Sequence, residues 1–143
     1  MRLIKDPTPA LLAQIIAAHN GRFVCDTETT GLNVRGPGAP HEARYVGLKP
    51  LGRGLCIILG PDNWRQHKPA LAKLQLIGQN FRYDLHAMDL EPEQPWQDTM
   101  NVKYFANTGG AKGLDDMAKF LGLPKIETPA LMKQGRIDEM SYD

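Results

Sequence analysis

The chain has 143 residues, enough for one domain with a buried core. An apolar fraction of 42% and a charged fraction of 23% are those of an ordinary globular protein, and no apolar run is long enough to span a bilayer. A net charge of +1 excludes a global basic field, so a polyanionic partner has to be met by local arginines and lysines or by bound cations.

The N-terminal stretch carries mixed charges and a polar end, unlike a secretory leader. "DPTPALLAQIIAAHNG" predicts a helix. Asp6 or Thr8 can cap it, proline suits its first turn and Gly21 ends it. Residues 22–27 read as a strand, and a long polar loop, "VRGPGAPHEARY", follows. "YVGLKPL" and "GLCIILG" are the next strands, joined by a turn near Gly52. Helix is expected from Asn63 to Leu74, a short strand in "LQLIGQN" ending at Gly78, and helix again from Phe81 to Leu90. Two more helices are expected over Asp98–Ala106 and Leu114–Leu121, and the last stretch gives only weak signals. Three early strands, then helices alternating with at most two more, indicate an α/β fold with a mixed sheet and helices on its faces.

The first chemical signal is "FVCDTETTGL". Side chains alternate along a strand, so Val24, Asp26 and Glu28 share one side and Phe23, Cys25 and Thr27 the other. Two neighbouring carboxylates repel and raise each other's pKa, and a hard divalent ion such as Mg²⁺ or Mn²⁺ relieves this. The plain alternative is a solvated strand end with two exposed acids. The second signal is "LIGQNFRYDLHAMDL". Asn80 is placed to cap a helix and Asp84 follows four residues later, while Phe81, Leu85 and Met88 form the core stripe. Asp84 is thereby aimed off the C-terminal edge of the sheet, where α/β proteins build their sites.

"DTETTGL" and "GQNFRYDLHAMDL" resemble the first and second motifs of the DEDD superfamily of 3′–5′ exonucleases, with the nearest likeness to the proofreading domain of family A DNA polymerases. "QDTMNVKYFANTGGAKGLDDMAKFLGL" is similar to the helical stretch that follows there, so the likeness runs from about Phe23 to Leu123. The resemblance implies a ribonuclease H-like fold and two-metal hydrolysis of single-stranded DNA from its 3′ end, with RNA also open. It implies Asp26, Glu28 and Asp84 as catalytic metal ligands for Mg²⁺ or Mn²⁺. Thr29, Leu32, Asn80 and Tyr83 become the residues that meet the substrate. It also implies a cytoplasmic setting in a bacterial or phage-infected cell and an association with a DNA polymerase or replication complex.

A third motif, YxxxD or HxxxD, completes that family's site on a C-terminal helix. Neither occurs between Gly113 and Asp143. The expectation is a single exonuclease-like domain over 1–143 that lacks this helix. It has low activity and an exposed sheet edge open to self-association. The alternative is a nuclease-inactive module that binds single strands. The remaining features read as structural. Cys25 and Cys56 lie in apolar runs as reduced core cysteines, and four scattered histidines make no zinc site. "GGAKGL" lacks the phosphate-loop pattern, Asp115 and Asp116 suit a helix start, and His86 and Trp96 read as packing residues. Arg35, Arg44 and Arg53 read as surface arginines that could also meet phosphates.

Overall fold

The computed structural model describes residues 2–36, 38–52, 54–106, 110 and 113–123. Among these residues six strands form one mixed sheet: β1 (Arg2–Lys5), β2 (Arg22–Thr29), β3 (Ala43–Pro50), β4 (Leu55–Leu59), β5 (Gln75–Gly78) and β6 (Gln97–Asp98). Five α-helices of the described residues accompany them: α1 (Pro9–Ala18), α2 (Lys68–Ala72), α3 (Arg82–Ala87), α4 (Thr99–Ala106) and α5 (Leu114–Phe120). The strand order is β1-β4-β3-β2-β5-β6. Strands β2, β3 and β4 form an antiparallel meander, while β1, β5 and β6 join as parallel neighbours. This is the ribonuclease H-like α/β architecture expected from the sequence. Among the described residues no helix is long and apolar enough to cross a membrane.

Local chemistry explains most elements. Thr8 caps α1 by accepting the Leu11 N–H at 3.3 Å, with proline in the first turn. Leu12 and Ile15 are that helix's buried residues. Along β2, Phe23 and Cys25 are buried while Val24 and Asp26 are exposed. Phe23, Val46, Leu48, Ile57, Leu59 and Leu76 build the covered face of the sheet, closed by Leu12, Leu71, Phe81 and Met88. Each such side chain contributes about 1.5–3 kcal/mol on burial. Cys25 lies inside this core and Cys56 is half-buried, both as free thiols.

Four expectations are corrected. Strand β1 is additional: "RLIK" pairs in parallel with Leu55–Ile58, a partner far away in sequence. Strand β6, two residues long and the second of the two further strands allowed for, takes Asp98 out of the helix expected over Asp98–Ala106. The helix expected from Asn63 to Leu74 is a 3₁₀ turn over Trp64–His67 followed by the short α2, because Pro69 sits at the start of the α-helical part. His86 is exposed rather than packed, whereas Trp96 is half-buried edge-to-face on Phe81, 5.9 Å between ring centroids. Gly78 allows Phe81 to lie against the strand end, since a Cβ there would sit 2.1 Å from the ring. The weak C-terminal stretch, the missing third motif, part of "GGAKGL" and Arg53 lie outside the described residues.

Candidate active site

The parallel ladder between β2 and β5 runs from Arg22 to Val24 and stops there. Beyond that point α3 takes over the exposed edge of β2. Asp84 Oδ1 accepts the Thr27 backbone N–H at 2.9 Å and the Thr27 hydroxyl at 2.7 Å. Asp84 is 4% exposed, so one carboxylate oxygen replaces the missing strand partner. The next residue back, Tyr83, reaches the turn after β2. Its hydroxyl lies 2.7 Å from the Thr29 hydroxyl and donates to the Gly31 carbonyl at 3.0 Å.

Helix α3 is itself held by an acid that the sequence reading placed only at a helix start. Buried Asp98 accepts the backbone N–H groups of Asn80 at 3.0 Å, Phe81 at 2.9 Å and Met100 at 2.9 Å. The expected cap, Asn80, does not fill that role: its backbone is left-handed at φ 52° and its side chain is exposed. Asparagine tolerates this conformation better than most residues. The helix starts only at Arg82, so Asn80 and Asp84 do not share a helical face. The signal available in the sequence was an acid directly before a helix, with a free N–H two residues on.

Asp26, Glu28 and Asp84 influence one another through space. Burial pushes the Asp84 carboxyl up to about 6, opposed by the Thr27 hydroxyl and raised further by Asp26. Desolvation raises Glu28, with Asp26 and Asp84 adding to it. Desolvation also raises Asp26, opposed by the Thr27 N–H. Burial holds the Cys25 thiol well up, with both aspartates adding to it, so this sulfur stays protonated. Carboxylates whose ionised form is made costly by burial and by one another are stabilised by a nearby cation, and oxygen donors of this kind suit a hard divalent ion.

The acids are not drawn around a single point. Among the described residues no three His, Cys, Asp or Glu groups are arranged to hold a metal ion. Asp26 and Glu28 border a depression of about 310 Å³ on the open side of the sheet with Tyr45, Lys49 and Ile58, and Asp84 does not line it. Mg²⁺ keeps several waters and is commonly held by one or two carboxylates together with substrate phosphates, so these residues fit the ion without a closed cage. A larger cleft of about 1170 Å³ borders α3 through Arg82 and His86 and touches none of the three acids.

Among the residues expected to meet substrate, Thr29 and Tyr83 join through their hydroxyls beside the acids. Leu32 projects from the turn with 88% exposure. Asn80 faces solvent beyond the end of β5. Of the three arginines, Arg35 is exposed, and Arg44 is half-buried with its guanidinium 5.6 Å from the Tyr45 ring centre. The β2–β3 register slips between Glu28 and Thr29, so Arg44 is the extra residue of a bulge beside the site.

The sequence matches no known family profile and no curated protein. Solved structures do match in shape. Brucella melitensis NrnC bound to pGG superposes with a TM-score of 0.66 at 18% identity, over 99% of this chain and 69% of that one. The same Brucella protein with bound Mg²⁺ gives 0.63 at 17% identity, with the same coverage. Escherichia coli RNase D, an exoribonuclease involved in structured RNA processing, gives 0.65 at 17% identity, over 99% of this chain and 39% of that one. The fold is therefore one that nucleases use.

Proposed function

We propose that this chain is a metal-dependent 3′–5′ exonuclease acting on single-stranded nucleic-acid ends. The observation that carries this is Asp26 and Glu28 side by side on the open face of β2, with Asp84 bonded to Thr27 between them in sequence. Bound divalent ions would supply the activated water and offset the charge on the scissile phosphate. This chain's own part is to hold the carboxylates and to position the strand end. Asp26 and Glu28 present oxygen ligands, Asp84 stays fixed by two hydrogen bonds, and exposed Leu32 offers an apolar surface to a terminal base. The names of the similar structures support RNA at least as well as DNA, and nothing in them supports a polymerase partner or proofreading.

The splayed carboxylates favour one second reading, a module that binds single strands without cutting them. Equal-length single-stranded RNA and DNA, labelled at the 5′ end, separate the two. With Mg²⁺ or Mn²⁺ the expected products are ladders shortening from the 3′ end, lost with a chelator and in Asp26→Asn. Binding of either strand without any shortening establishes the second reading instead.

A further inference from the structure

We infer that Tyr83 is a positioning residue whose hydroxyl locks the turn after β2 and so fixes where Leu32 projects. Three oxygens meet there: the Tyr83 hydroxyl, the Thr29 hydroxyl and the Gly31 carbonyl. Tyr83 lies 2.7 Å from Thr29 and 3.0 Å from the carbonyl, and Thr29 lies 2.9 Å from the carbonyl. Each hydroxyl carries one proton and the carbonyl none. Two protons therefore serve three short contacts, and the Tyr83 hydroxyl has none left to offer a ligand.

The turn is gripped from another direction as well. A Cβ on Gly31 would lie 2.6 Å from three atoms of the His41 ring, so that ring covers the Gly31 backbone. Thr30 closes the loop base by donating its N–H to the Glu42 carbonyl at 3.1 Å and accepting the Glu42 N–H at 3.3 Å. Leu32, at 88% exposure, has almost no packing of its own to hold it. Its placement depends on the turn, and the turn depends on Tyr83. Because Tyr83 and Asp84 are consecutive on α3, one short helix holds both the Thr27 edge and the Leu32 turn.

That Leu32 placement matters to a strand end rests on the nuclease reading above; the clamp itself does not. Tyr83→Phe removes only the hydroxyl. We expect amide hydrogen exchange at Thr30 to Leu32 to quicken about tenfold, the loss of one net hydrogen bond. Thr29→Val reproduces the effect, the double variant adds little to it, and Thr29→Ser keeps the protection. Cleavage by Tyr83→Phe slows in parallel. Unchanged exchange in both Tyr83→Phe and Thr29→Val overturns the clamp, whatever happens to cleavage. Quickened exchange in a protein that never cleaves leaves the clamp standing and removes the nuclease reading.

Discussion

Asp84→Asn should stabilise this protein at neutral and alkaline pH in the absence of divalent ions. The folded carboxyl titrates at about 6 against an ordinary 3.8, with burial as the main cause. Between those values the folded state binds the proton and the unfolded chain has lost it, so stability falls as pH rises from about 4 to 6 and then levels. A tenfold change in proton affinity is about 1.4 kcal/mol, which makes the full cost of ionising Asp84 about 3 kcal/mol. Part of the rise comes from solvent-exposed Asp26 and is screened by water and salt, leaving about 1–3 kcal/mol. Asparagine keeps an oxygen to accept the Thr27 N–H and hydroxyl, so the hydrogen bonds at 2.9 and 2.7 Å survive. The charge that also raises Glu28 is removed. Urea unfolding with a chelator present should show the variant more stable by about 1–3 kcal/mol at pH 8 and nearly level at pH 4. A loss of stability at pH 8, or the same difference at both pH values, would refute the account.

Two further outcomes follow from the packing around the site. Asp98→Ala leaves the N–H groups of Asn80, Phe81 and Met100 without their acceptor. It should lower stability by about 2–4 kcal/mol at unchanged urea m-value, read from equilibrium unfolding. Gly78→Ala forces a methyl to within 2.1 Å of the Phe81 ring and should cost about 1–3 kcal/mol, partly recovered when Phe81→Leu is added, as a double-mutant cycle would measure.

The sequence carried β2 clearly because a half-buried strand must alternate, and Phe23 and Cys25 do so against Val24 and Asp26. The same alternation put Asp26 and Glu28 on one side. The core stripe of α3 was legible for the same reason: Phe81, Leu85 and Met88 are all buried. What escaped reading depends on partners remote in the chain. The four residues of β1 form a strand because Leu55–Ile58 lies alongside them. Asp98 acts on N–H groups eighteen and seventeen residues earlier, which no local pattern displays. Asn80 has the composition of a cap, but its left-handed backbone takes it out of the helix. Tyr83 was legible as a residue of the site, whereas its hydroxyl partners emerge only once the turn at Gly31 is folded against α3.

The parallel pairing of β1 with β4 has a consequence for how the chain folds. The β2–β3–β4 meander joins strands that are neighbours in sequence, so its contacts close short loops and can form early. β1 reaches β4 across about fifty residues of chain, with Arg2 opposite Leu55, and the long closure is favourable only after the meander offers an ordered edge. Its side chains are mostly exposed, so little burial rewards that closure. The N-terminal strand should therefore dock late and detach first, fraying in the native state while the acid-bearing strand, three places away across the sheet, keeps both of its neighbours.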